Sequence, residues 1–180
     1  MKNLAAYTQS LAYEYVRSYS GLRGRKFESL LARNSLEVER IEHEIKTARY
    51  IQVPKLRKQI ELLKEETDIY KARVVSDGGI PHESAGLVGE WRKHDDFFSD
   101  IHHILMQPLH EQFATMCAPV FRDALVFYSK EGEVQGVLHV CFGCLWMKNE
   151  KEEDIAADVE VFDHLKQRLM DAGHPIIEAY

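Results

Sequence analysis

The chain has 180 residues, 45% hydrophobic and 29% charged, a balance that supports a folded core and excludes a disordered chain. A net charge of −6 and a sequence pI near 5.8 argue against a dedicated nucleic-acid binder. No window reaches the roughly 18 apolar residues of a membrane helix.

The first 18 residues lack a continuous apolar run and a small-residue cleavage site, and Glu14 interrupts them, so a secretory leader is not expected. Three cysteines, an odd number in a chain of this size, fit a reducing compartment, and the expected location is cytoplasmic. Leu4, Leu11 and Val16 predict an amphipathic helix over 3–18. Two glycines then mark a turn beside Arg23, Arg25 and Lys26. With Arg17 these cations are candidate contacts for phosphate or for an acidic partner, interleaved with Tyr15 and Tyr19.

From Phe27 the spacing alternates four and three through Leu31, Asn34, Val38, Ile41, Ile45 and Ala48, the seam of a coiled coil. A second run follows Pro54, through Leu56, Ile60, Leu63, Thr67, Tyr70 and Val74. The step from Ala48 to Leu56 breaks the register, and Pro54 disfavours helix in the residue before it. Two helices folded back as an antiparallel hairpin satisfy both observations, and so does one long kinked helix that dimerises. In either form Phe27, Leu31, Asn34, Val38, Ile41, Ile45, Leu56, Ile60, Leu63 and Tyr70 make a partner-binding stripe.

Four glycines and a proline over 74–91 predict a linker. Phe97, Phe98, Ile101, Ile104 and Leu105 predict a helix over 95–116, kinked at Pro108. Asp96, Asp100 and His103 share its opposite face, where an amphipathic helix places its solvated residues. Two β-branched and aromatic runs flank Ser129–Glu133, which contains Gly132, and predict a β-hairpin over 123–147. Val159, Phe162, Leu165 and Leu169 predict a last helix over 155–172, ended by Gly173 and Pro175. The whole reads as an α+β protein that is predominantly helical. A coiled-coil-like helical hairpin region spans 1–74, a Gly/Pro-containing linker spans 75–94, and a small unit over 95–180 holds one β-hairpin covered by helices.

Cys117, Cys141 and Cys144 all fall beside or within that hairpin. Cys141 and Cys144 have the spacing of half a zinc site, and Cys117 with His139 would complete four ligands. A regular strand would send residues 141 and 144 to opposite faces, and free cysteines also pack as small core residues. A redox pair needs a helix after the motif, and Leu145 to Glu150 does not read as a helix start. The arrangement of Cys117, Pro119, Phe127, Tyr128, Gly132, Cys141, Phe142 and Cys144 resembles a segment of small uncharacterised bacterial proteins. In those a basic residue follows the proline directly, whereas here Val120 does and Arg122 comes two later. The resemblance covers about 30 residues, implies a recurring structural unit and brings no activity with it.

His110–Glu111 begins like a zinc-protease motif but lacks the second histidine, and the Ser84 region lacks a nucleophile elbow. No catalytic residue set survives. The expected function is therefore a non-catalytic interaction or regulatory protein working through helical surfaces, by self-association or on a protein partner. Residues 1–74 hold 15 Lys/Arg against 10 Asp/Glu, and residues 75–180 hold 8 against 19. That acidic half suits an inhibitor or immunity-type binder of a basic partner. The alternative is a zinc- or thiol-dependent enzyme or sensor centred on the three cysteines, with a structural zinc as its cofactor.

Overall fold

The computed structural model describes residues 2–21, 25–82, 85–111 and 117–176, with side chains at all of these except 25–31 and 66–72. Its centre is the run Asp123–Tyr128 (β4), in which every residue is buried. A strand covered on both faces needs apolar side chains in continuous succession rather than in alternation, and Ala-Leu-Val-Phe-Tyr supplies them. Leu125 and Phe127 face one side of the sheet with Leu138 and Val140, while Ala124, Val126 and Tyr128 face the other with Val137. Gly132 takes the positive φ of 88° that the turn requires. Ser129 Oγ accepts the backbone N–H groups of Glu131 and Glu133 across it, at 3.2 and 3.3 Å.

Seven strands form one mixed sheet. In chain order they are Lys2–Asn3 (β1), Tyr15–Gly21 (β2), Ala85–Arg92 (β3), β4, Val134–Cys141 (β5), Trp146–Asn149 (β6) and Asp154–Ala156 (β7). The spatial order is β1-β7-β6-β5-β4-β2-β3; β1 runs parallel to β7, and the other pairs are antiparallel. Three helices, Leu4–Gln9 (α1), Asp96–Leu105 (α4) and Val159–Asp171 (α5), contribute to the larger core on the Leu125 and Phe127 side. Phe127 sits there fully enclosed, with Tyr7 and Tyr13 edge-on to its ring.

This sheet overturns the expectation of a predominantly helical protein. Within 3–18 only α1 is helical, and Tyr15–Gly21 is a strand with six of its seven residues buried. The Leu4, Leu11 and Val16 spacing fits a helix face equally well, and pairing with β3 and β4 decides in favour of the strand. The linker read at 75–94 contains β3, an edge strand in which Gly89 reflects close approach: a Cβ there would meet the Trp91 ring at 2.3 Å. The helix expected over 95–116 ends at Leu105, and residues 112–116 lie outside the described residues. The last helix starts at Val159, because Ile155 belongs to β7.

The chain divides into a sheet unit, Met1–Gly21 with Arg73–Tyr180, and an inserted unit, Leu22–Ala72. The inserted unit holds Arg25–Thr47 (α2) and Val53–Ala72 (α3), joined through a 3₁₀ turn at Tyr50–Gln52. Pro54 occupies the first turn of α3, where a backbone N–H would lack a helical partner anyway. Val38, Ile41, Ile45 and Ala48 pack on Leu56, Ile60 and Leu63, so Ile41 and Leu56 are buried by their own chain. Among the described residues, the stripe read as a coiled-coil adhesive for a partner thus packs inside one subunit, and the coiled-coil reading is withdrawn. Asn34 is buried too, and its Nδ2 has no hydrogen-bond partner. The side chains of Phe27, Leu31 and Tyr70 lie outside the described residues.

Candidate functional site

The three cysteines meet at one end of β5. The strand does not continue through Cys-Phe-Gly-Cys: the Cys144 N–H donates to the Cys141 carbonyl at 3.3 Å, and Leu145 takes a φ of 50° before β6 begins. This turn takes Cys144 out of the strand and pairs Cys141 with Trp146 across β5 and β6. Cys144 is disulfide-bonded to Cys117, with Cα atoms 5.7 Å apart. Cys141 stays a free thiol, buried with Cys144 and Phe121 in a small cluster against which Trp146 packs. Cys117, at the other end of the bond, is exposed.

The zinc set is therefore not assembled. Two of its three sulfurs bond each other, and among the described residues no group of three His, Cys, Asp or Glu is placed to hold a metal. His139, the expected fourth ligand, lies fully buried on the Cys141 side of β5, edge-on to Phe121. Neither ring nitrogen has a hydrogen-bond partner, and the nearest recorded carboxylate, Asp77, is 3.9 Å away. Burial, reinforced by the charge of Arg73, pushes its pKa down to about 4 against the opposing carboxylates of Asp77 and Glu150. His139 is thus a neutral core residue at neutral pH.

The disulfide fastens a strap, residues 117–122 ahead of β4, to the turn after β5. Asp158 at the N-cap of α5 holds residues 110–111, after α4: its carboxylate accepts the N–H groups of His110 and Glu111 at 3.0 Å and contacts His110 Nδ1 at 2.7 Å. The Glu111 N–H first, then His110, hold the Asp158 carboxyl below its ordinary range. This contribution is present above the ordinary carboxyl pKa and lost as pH falls through the lowered one. Asp158→Asn removes the charge while keeping the shape. Hydrogen exchange at the His110 and Glu111 amides should then speed up at pH 7 with the sheet amides unchanged; unchanged exchange at both amides would mean the carboxylate does not hold these two residues.

Of the candidate phosphate contacts, only Arg17 has a described side chain. Arg17 Nε donates to Glu90 at 2.8 Å and its guanidinium lies over the rings of Tyr15 and Tyr128, so its charge is already engaged. Arg23 lies outside the described residues, as do the side chains of Arg25 and Lys26. Of the acidic face on α4, Asp100 pairs with Arg168 of α5 at 2.7 Å.

Two buried or half-buried polar groups were missed in the sequence because their members lie far apart along it. Asp123 Oδ1 is 2.9 Å from Ser20 Oγ and 3.0 Å from His174 Nε2, all three residues buried. A catalytic triad needs the imidazole against the serine, and here the aspartate stands between them. Tyr13 and His102 form the second group, which lines an open cleft. No helix among the described residues is long and apolar enough to cross a membrane. Comparison of the chain with protein-family models, with curated proteins and with solved structures finds no match.

Proposed function

We propose that this is a non-catalytic regulatory protein of the cytoplasm that acts on a protein partner, with the Cys117–Cys144 bond as its switch. The carrying observation is the position of that bond, which ties an exposed strap residue to a buried turn beside a third, free thiol. In a reducing compartment such a bond is transient, formed when a cellular disulfide takes two electrons from the two thiols by exchange and leaves as a dithiol. A cellular dithiol reverses it in two steps. One thiolate attacks Cys117 Sγ and expels the Cys144 thiolate, and the second thiolate of the reductant closes its own disulfide and frees Cys117. Two electrons pass from the dithiol to the cystine, and protons from water leave two protein thiols. The strap is then no longer held at Cys144.

Charge supports a basic partner. The inserted unit holds 12 Lys/Arg and 9 Asp/Glu, leaving 11 and 20 on the sheet unit, which is net −9. An acidic surface of this kind steers basic partners in a salt-dependent way.

Alkylation mass spectrometry on the folded protein, quenched after unfolding, tests the switch. Oxidised protein should gain one label, on Cys141, and dithiol-treated protein three. Exchange across 117–122 should rise on reduction while β4 and β5 stay protected. A bond that a dithiol does not open, or a strap that exchanges equally in both states, would remove the switch.

A further inference from the structure

The sheet unit contains a cleft of about 910 Å³ between the α1 end of the chain and α4. Its floor is Tyr13, whose ring is locked against Phe98 and Phe127 and whose hydroxyl reaches His102 Nδ1 at 2.6 Å. Lys93 stands at its wall, its Nζ 3.0 Å from Glu14 and its backbone N–H donating to the Glu14 carbonyl, also at 3.0 Å. Thr8 lines the same cleft with a buried Oγ1 that has no hydrogen-bond partner. Fixed polar groups around an apolar floor make the ordinary chemistry of a small-molecule site.

The hydrogen-bond roles follow from the groups themselves. Burial raises the Tyr13 pKa, so its hydroxyl keeps its proton and donates to Nδ1. The proton of neutral His102 is then on Nε2. Burial, with Lys93 and His103 adding to it, lowers the His102 pKa and keeps the ring neutral at pH 7. The tyrosine thus fixes both the tautomer and the tilt of the imidazole.

We propose that this cleft binds a small organic carboxylate, with Lys93 and the Nε2–H of His102 holding its oxygens and Tyr13 positioning the imidazole. Leu11, Phe98 and Met106 meet the apolar body of the ligand. A monoanion suits the site, because Glu14 already offsets part of the single lysine charge. The assignment stands apart from the thiol switch and shares no residue with it.

The test uses the full chain with histidine-ring carbons observed by NMR, benzoate as the probe and inorganic phosphate as the comparator. Benzoate should shift the His102 ring saturably in the millimolar range. Lys93→Met, at an exposed side chain, should weaken that binding by about tenfold or more. Tyr13→Phe should move the ring nitrogen shifts of His102 toward the other tautomer even without ligand. No saturable shift, an equal shift at the surface ring of His94, or equal binding by phosphate would overturn the carboxylate assignment.

Discussion

Reducing Cys117–Cys144 lowers the stability of the sheet unit by about 3.5 kcal/mol. The bond closes a loop with a sequence separation of 27. Removing a cross-link of that span restores about 12 cal/mol/K of chain entropy to the unfolded state on the loop-closure account. The effect acts on the unfolded chain, so the urea midpoint should fall while the slope of the transition rises, because a freed chain exposes more surface. A Cys117→Ser, Cys144→Ser double variant should show the same loss with no further response to reductant. Cys141→Ala should keep the response, since that sulfur is outside the bond. Equal urea midpoints with and without dithiol would show that the cross-link does not contribute to the native state.

Acid should destabilise the protein before its carboxylates are protonated. His139 and His174 are both buried, and burial pushes each pKa down to about 4. An unfolded histidine binds its proton near pH 6.5, so between these values the unfolded chain holds more protons and stability falls with falling pH. The contribution is complete above about pH 6.5 and lost by about pH 4; for one such group the loss at pH 5 is about 2 kcal/mol. His139 is the cleaner of the two to test. Asp123 lies 3.0 Å from His174 Nε2 and steadies its charged form, whereas His139 has no hydrogen-bond partner. The charges around His139 are Arg73, Asp77, Lys148 and Glu150, and Arg73 is itself paired with Asp77 and Glu152. His139→Leu should therefore leave stability at pH 7.5 within about 1 kcal/mol of the parent and recover its own share of the loss at pH 5, about 2 kcal/mol. If the variant keeps the parent's dependence on pH, His139 is not the group responsible.

What the sequence discloses follows the range of the forces involved. The β4–β5 turn is legible because Ser129–Glu133 and the apolar runs beside it are local. β2 is not, because Tyr15–Gly21 becomes a strand by pairing with residues 85–92 and 123–128. On α2 and α3 the apolar spacing marks Val38, Ile41, Ile45, Leu56, Ile60 and Leu63, which pack on one another, but periodicity is silent on whether the covering surface comes from the same chain. Cys141 and Cys144 draw notice by their short spacing, while the bonded pair is the distant one, Cys117 with Cys144. The Tyr13–His102 contact spans 89 positions and leaves no local signature.

The inserted unit also constrains the order in which the protein can assemble. Gly21 registers with Ala85, so β2 and β3 must find each other across roughly sixty intervening residues, a closure that is slow and entropically unfavourable for a loose chain. If the α2–α3 pair collapses first, the residues between the two strands that lie outside the pair fall to about fifteen and the search shortens. Early, local helix formation in the insert would then set the rate at which the far edge of the sheet closes, and slowing the one would delay the other.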